Sequence, residues 1–400
     1  MVVYLFQVSN MADVDEIIKE YFIHGYKYKE ILSMMLTVHG LSLSIRQLHR
    51  KLRNLNLYRK RNQSSIEEGT EFIEQQLAGS GSSVGYRQMH QRCTIYGLTI
   101  SRKNVSNIMR ALDPVGVENR RRRCLRRRQY FSQGPNWVWH MDGYDKLKPY
   151  GFSIHGAIDG YSRKILWLDV CFSNKDPSQI CSLFIESVNE LGAVPRKIVA
   201  DRGTENVYVA GAQRFLRRHH DDSMAGEKSF SYGRSVSNQR IESWWSMLRR
   251  SCTNWWINYF RDLIEQNHFD LTNRLHLECI KFCYLGVIRG ELNQMKITWN
   301  NHRIRRSITS NSSYRPSGIP NVLYHAPAPE IRDYKKVVHY TDLSIVEETC
   351  CVRRNVTYIC SDEFFELASI IMEESGLSIP GNASEAFELY RCILEAIQNI

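Results

Sequence analysis

The stretch WVWHMD, residues 137–142, is a run of apolar and aromatic residues that ends on an aspartate. Such a run, with Gly and Asn close to its ends, predicts a buried β-strand. A second run, RKIVAD at residues 196–201, also ends on an aspartate. A carboxylate at the end of a buried strand is unfavourable unless it is paired, hydrogen-bonded or bound to a cation. Asp142 and Asp201 therefore need an explanation.

The segments around these two runs predict the fold class. FSIHGAIDG and KILWLDVCF, residues 152–160 and 164–172, are two more strands. PSQICSLFIESVNELG, residues 177–192, has its apolar residues at helical spacing, and another helix is expected after Gly203. The order β-β-β-α-β-α indicates an α/β domain with a mixed sheet.

A third carboxylate lies on a predicted helix farther along the chain. In SNQRIESWWSMLRR, residues 237–250, the apolar positions Ile241, Trp244, Trp245 and Leu248 recur at helical spacing and form a core stripe. Glu242 lies beside this stripe, and helical spacing places Asn238 and Arg249 on the face of Glu242. Asn238 either orients Glu242, contacts DNA, or simply caps the helix. His140 is either a packed core residue or a site contact.

Three converging carboxylates repel one another, and two hard divalent cations would relieve this repulsion. Mg²⁺ takes few carboxylates and leaves room for phosphate oxygens. A pair of such ions activates an attacking hydroxyl and stabilises the leaving oxygen. Asp142, Asp201 and Glu242 are thus candidate metal ligands. The alternative is that the aspartates cap the next helix, which is common at strand ends. Asp145, Asp159 and Glu205 are interpreted as structural.

The region before the α/β segment contains an internal repeat. HGLSLSIRQLHRKLRNL, from His39, matches YGLTISRKNVSNIMRAL, from Tyr96, so that Gly40 aligns with Gly97. A Gly turn, a Ser or Thr cap and a basic second helix are the layout of a helix-turn-helix. Residues 12–60 and 64–118 are therefore predicted to be two DNA-binding modules, with plain helical hairpins as the alternative. The candidate DNA contacts are Arg46, Arg50, Arg102 and Lys103.

An arginine-rich linker, residues 119–135, follows the second module. Its arginines contact phosphate, serve as a nuclear import signal, or do both, and the alternative is a solvated linker. The seven arginines are Arg120, Arg121, Arg122, Arg123, Arg126, Arg127 and Arg128.

Composition narrows the possible partners and the compartment. Lys and Arg number 53 against 42 Asp and Glu, which gives a formal net charge of +11 and favours a polyanionic partner. The eleven cysteines form no CxxC pair, as expected in a reducing intracellular compartment. His90 and Cys93 are not followed by a second ligand pair, so no zinc finger is expected. The chain has no long apolar run, and no membrane association is expected.

WHMDGYDKL, AIDGYSRKI, VADRGTEN and NQRIESWW, in this order, resemble the core of DDE transposases and retroviral-type integrases. The resemblance covers about residues 136–262. It implies an RNase H-like fold with a five-stranded mixed sheet, and it places the catalytic triad on Asp142, Asp201 and Glu242, with Arg249 facing DNA. It also implies two Mg²⁺ or Mn²⁺ per active site, DNA cleavage and strand transfer, and a homo-multimer on DNA. A nuclear location is expected from the arginine run.

The rest of the chain adds two regions. Residues 263–335 are expected to be a helical extension in which WNNHRIRRS, from Trp299, resembles a segment that often follows this core. Residues 336–400 resemble no assigned segment; they are interpreted as an assembly region or an acquired interaction region. Other functions remain open: a host-retained DNA-binding protein with silent chemistry, an RNase H-like nuclease that does not join strands, or a structural nuclear protein.

Overall fold

A computed structural model describes residues 11–58, 64–121, 131–173, 175–233, 238–305, 316–351 and 358–398. The chain divides into two compact units. Unit 1 comprises residues 1–137, the turn 159–164 and residues 297–334; unit 2 comprises residues 138–158, 165–296 and 335–400. None of the described helices is long and apolar enough to cross a membrane.

Unit 1 is helical and contains two apolar clusters. The first lies among α1 (Met11–Ile23), α2 (Tyr28–His39) and α3 (Ile45–Asn54). The second lies among α4 (Ile66–Ala78), α5 (Tyr86–Ile95) and α6 (Arg102–Leu112). Two shorter helices complete the unit, α7 (Pro114–Arg121) and, farther along the chain, α13 (Pro320–His325).

The internal repeat corresponds to the same local structure in both clusters. Ser44 and Ser101 each cap a helix, because their hydroxyls accept hydrogen bonds from the backbone N–H of Gln47 and Asn104. Gly40 and Gly97 precede these caps with φ angles of 66° and 93°, a backbone region that glycine adopts without strain. The repeated sequence therefore encodes a repeated turn and helix start.

Unit 2 contains a mixed sheet of five strands in the order β3-β2-β1-β5-β6. Antiparallel pairing joins β2 and β3, whereas β1, β5 and β6 pair in parallel. The predicted mixed five-stranded fold is thus confirmed. Sequence pattern does not locate the fifth strand, β6, because it is short and only one of its residues, Phe230, is buried. The strands are β1 (Trp139–Tyr144), β2 (Ser153–Asp159), β3 (Ile165–Cys171), β5 (Ile198–Ala200) and β6 (Phe230–Tyr232).

Helices surround this sheet, and a second small sheet pairs β4 (Ala193–Val194) with β7 (Lys336–Val337). After α10, a π-helical turn, Arg249–Thr253, leads directly into α11. The helix α12 has its last residues, from Ile297, in unit 1. The helices are α8 (Pro177–Leu191), α9 (Val207–Leu216), α10 (Gln239–Leu248), α11 (Asn254–Glu265), α12 (Arg274–Asn301), α14 (Tyr340–Cys350), α15 (Asp362–Glu374) and α16 (Ala383–Gln398).

Candidate active site

The strand β1 directs alternate side chains to different neighbours. Trp139 packs against Phe184 of α8, with ring centroids 6.3 Å apart. His140 and Asp142 lie on the opposite face, because successive side chains of a strand alternate. There they form hydrogen bonds with Asn238, just before α10, and with Trp245 of α10. The apolar face of β1 thus anchors the strand in the core, and its other face presents Asp142.

Strand register brings the two aspartates together. The parallel pairing of β1 and β5 puts Trp139 opposite Ile198 and His140 opposite Val199. Asp142 is the second residue after His140, and Asp201 is the second residue after Val199. The same register, continued to these positions, therefore places Asp142 and Asp201 level with each other. The strand β1 continues to Tyr144, so Asp142 lies inside it and not at its end as predicted, whereas Asp201 directly follows β5.

Glu242 reaches the same region from the first turn of α10. The predicted core stripe of this helix is buried in full: Ile241, Trp244, Trp245 and Leu248. Burial of that stripe leaves Glu242 exposed. Partial burial raises the pKa of Glu242, and the negative charge of Asp201 raises it further. Glu242 is therefore close enough to Asp201 for their charges to interact.

Asn238 connects the start of α10 to β1. Its Nδ2 donates to the backbone carbonyl of Met141 at 2.9 Å, and its Oδ1 lies 2.8 Å from Nδ1 of His140. Since Oδ1 can only accept, the imidazole carries its proton on Nδ1. Asn238 is buried, and its side chain makes no cap hydrogen bond. It therefore neither contacts DNA nor caps the helix with its side chain; it tethers two elements.

His140 is a packed core residue. Only 2% of its surface is exposed. Burial lowers the pKa of His140 to about 4, although its hydrogen bond with Asn238 acts in the opposite direction. The imidazole is therefore neutral at pH 7 and adds no positive charge beside the carboxylates.

Asp142 has the most perturbed titration of the three carboxylates. Burial raises its pKa to about 7, and the negative charges of Asp201 and Glu242 contribute to the increase. Two N–H donors act in the opposite direction, the Trp245 indole and the Gly143 backbone. Perturbed carboxylates in mutual repulsion are typical of functional sites.

Asp201 has a neighbour that the sequence did not point out. Nδ2 of the buried Asn206 donates to Oδ1 of Asp201 at 3.1 Å and to Oε1 of Glu205 at 2.9 Å. Burial and the charges of Asp201 and Asp145 raise the pKa of Glu205. Glu205 is therefore a fourth carboxylate at this edge of the sheet, and one amide bridges it to Asp201.

The donor set suits a hard divalent cation. Asp142, Asp201 and Glu242 offer carboxylate oxygens, the ligands that Mg²⁺ and Mn²⁺ prefer. As the side chains stand, no group of three or more His, Cys, Asp or Glu in the described ranges is placed to hold a metal ion. The charge of Asp201 nevertheless raises the pKa of Asp142 and of Glu242, and a divalent cation would relieve this repulsion.

Two other acidic residues singled out from the sequence are structural. Asp145 is exposed and pairs with Lys148 through a 2.8 Å ion pair. Asp159, in unit 1, is fully buried and accepts four hydrogen bonds. Their donors are the backbone N–H groups of Asn136, Tyr161 and Ser162 and the Ser162 hydroxyl. Both aspartates thus hold local structure, as their interpretation from the sequence predicts.

The basic candidates are distributed over several elements. Arg249 is exposed at the start of the π-helical turn, where its Nε donates to Asn254 Oδ1. Arg46 and Arg50 are exposed on α3, and Arg102 and Lys103 are exposed on α6. Arg120 and Arg121 end α7. The remaining arginines of the run, Arg122, Arg123, Arg126, Arg127 and Arg128, lie outside the described residues.

The mixed sheet thus carries two aspartates level with each other on adjacent parallel strands, with a glutamate on a following helix. Residues 129–315 match the family model described as integrase core domain. The match covers just under half of the chain. This segment is an integrase core domain of the retroviral integrase and transposase type. None of the curated proteins compared with the chain matches it.

Proposed function

We propose that the protein is a DNA recombinase of the DDE type, which cleaves DNA and transfers the cut strand to a second DNA. The observation that carries this proposal is the parallel pairing of β1 with β5, whose register continued by two residues sets Asp142 level with Asp201, while the charge of Asp201 raises the pKa of Glu242. An integrase-type core implies interaction with DNA, and domains of this kind generally use divalent metal ions. The net charge of +11 suits the same partner.

The carboxylates of Asp142, Asp201 and Glu242 would hold two Mg²⁺ or Mn²⁺. When bound, such ions lower the pKa of an attacking hydroxyl and stabilise the leaving oxygen. The protein holds the scissile phosphate in line with the attacking oxygen. In the first step a water oxygen bonds to phosphorus, and the bond from phosphorus to the 3′-oxygen breaks. In the second step the released 3′-hydroxyl oxygen bonds to a phosphorus of the target DNA, the bond from that phosphorus to the target's own 3′-oxygen breaks, and no covalent enzyme intermediate forms.

DNA would be held mainly through phosphate contacts of basic side chains. Arg46, Arg102 and Lys103 are exposed in the first turns of two capped helices, the place where recognition helices meet DNA, and Arg50 is exposed one turn after Arg46. Arg249 stands two helical turns after Glu242 and would contact the DNA near the reacting phosphate. The arginine run would add phosphate contacts and nuclear import. Joining two DNA ends in one reaction requires a multimer.

The experiment is plasmid nicking and strand transfer by the purified chain in Mg²⁺ or Mn²⁺. Asp142→Asn, Asp201→Asn and Glu242→Gln should each lower both activities by about 100-fold or more, since the outer partners of metal ligands alone are worth about 10–100-fold. Asp145→Asn is the matched control from the same sequence motif and should retain activity. Equal activity of wild type and all three triad variants would overturn the proposal.

Two other outcomes identify the alternative functions. Metal-dependent nicking without joined products, on DNA ends selected by binding, would favour an RNase H-like nuclease. Tight DNA binding with an inert wild type would favour a host-retained DNA-binding protein with silent chemistry.

A further inference from the structure

Trp245 is in direct contact with one of the candidate metal ligands. Its Nε1–H donates to Oδ2 of Asp142 at 3.0 Å. The indole is buried, with 5% of its surface exposed. Tryptophan nitrogen is a donor only, so this contact always presents a hydrogen to the carboxylate. Trp245, a residue of the core stripe of α10, thus also makes a polar contact with the site.

The surroundings of the indole fix its position. A Cβ added to Gly156 of β2 would lie 2.9 Å from Cη2 of Trp245, so the absence of a side chain there makes room for the ring. Tyr144 of β1 packs on the indole with ring centroids 5.2 Å apart, and Trp244 lies at the same distance. The ring thus packs against β1 and β2, and its N–H points at Asp142.

We propose that Trp245 is a positioning residue of the candidate active site: its indole N–H holds the Asp142 carboxylate in the orientation from which it binds a divalent cation. An aspartate side chain otherwise rotates about two bonds. A fixed donor on one oxygen limits that rotation. This inference rests on the proposed function and assigns Trp245 no contact with substrate.

The test is direct Mn²⁺ binding, measured as the loss of the free-ion electron paramagnetic resonance signal during titration of the full chain without DNA. Trp245→Phe removes the donor and keeps an aromatic ring. We expect a Mn²⁺ dissociation constant about 10-fold higher than in the wild type, the usual effect of losing a partner that orients a metal ligand. The Mn²⁺ concentration for half-maximal nicking should rise by the same factor.

Trp256→Phe is the matched control. Trp256 is also a buried indole, and its Nε1–H also donates to a carboxylate at 3.0 Å, that of Glu291. This variant loses the same type of hydrogen bond away from the site, so its stability should fall while its Mn²⁺ affinity stays at the wild-type value. Comparison of the two variants separates positioning from a general loss of packing.

A second replacement covers the case in which Trp245→Phe fails to fold. β-(3-Benzothienyl)alanine at position 245 keeps the shape of the indole and replaces N–H by sulfur, so only the donor is lost. Wild-type Mn²⁺ affinity in this variant would overturn the role of Trp245 and leave the proposed function intact. If the wild type itself bound no Mn²⁺, or bound it as well after Asp142→Asn, the proposed metal site would fail, and this inference with it.

Discussion

At the scale of single residues, burial and two negative neighbours make the charge of the Asp142 carboxylate unfavourable in the absence of metal. Its pKa is about 7 in the folded chain, against an ordinary value of 3.8. Between pH 3.8 and about pH 7, the Asp142 carboxyl is therefore protonated in the folded state and ionised in the unfolded state. Stability of the metal-free protein should decrease as pH rises from 4 to 7 and then level off.

Asp142→Asn removes this dependence, because an amide does not ionise. The free energy of unfolding of the variant minus that of the wild type should increase by a few kcal/mol between pH 4 and pH 8, since one pKa unit corresponds to about 1.4 kcal/mol. Urea denaturation without metal at both pH values measures it. Added Mg²⁺ should stabilise only the wild type at pH 8. A difference that stays constant with pH would contradict the raised pKa of Asp142.

At the scale of elements, Asn238 links the start of α10 to β1. It thereby holds the two elements that carry Glu242 and Asp142 next to each other. Asn238 uses both ends of its amide on β1, so its loss leaves the buried Met141 carbonyl and His140 N–H without this partner. Asn238→Ala should lower the free energy of unfolding by about 1–3 kcal/mol in urea denaturation. Nicking and strand transfer should fall by more than the loss of stability explains, because Glu242 lies in the first turn of the same helix.

Asn238→Asp gives a sharper test of the same tether. A carboxylate still accepts from His140, but it places negative charge against the Met141 carbonyl, so stability should fall below that of the alanine variant. Ser243→Ala, at an exposed position of α10, is the control and should stay within about 0.5 kcal/mol of the wild type. Wild-type stability in both Asn238 variants would show that the helix is held by its apolar stripe alone.

Local pattern predicted most elements of unit 2, and long-range contacts explain what it missed. Strands β1, β2, β3 and β5 follow from dense apolar runs, and α10 follows from its stripe. The spacing of the stripe places Trp245 in the core, but it gives no information on the partner of the indole N–H. Likewise, the sequence position of Asn238 shows only that it precedes a helix. The hydrogen-bond partners of Trp245 and Asn238 lie on β1. This strand is distant from α10 in sequence and comes close to it only when the chain folds.

At the scale of the whole molecule, the C-terminal segment is part of the compact unit that holds the site. Residues 335–400 belong to unit 2, where β7 pairs with β4 and Lys336 forms a 3.1 Å ion pair with Asp222. In α16, the buried Tyr390 donates a hydrogen bond from its hydroxyl to the carbonyl of His268. No fold could be predicted for this segment from its sequence. Its apolar faces pack against α8, α9 and α12 as well as against one another, and these partners are distant in sequence.

Removal of residues 335–400 should therefore unfold or aggregate unit 2. The segment buries Leu343, Val346, Phe364, Ile371, Leu389, Tyr390, Ile393 and Leu394. Each such side chain contributes about 1.5–3 kcal/mol when fully buried, and a domain is typically stable by only about 5–15 kcal/mol. Chain 1–334 should be mostly insoluble, or should elute as an aggregate in size-exclusion chromatography. Lys336→Ala in the full chain is the control and should change stability little, because Arg217 still pairs with Asp222 at 2.6 Å. A soluble, cooperatively melting chain 1–334 with metal-dependent nicking would show instead that the segment is an accessory to a self-sufficient core.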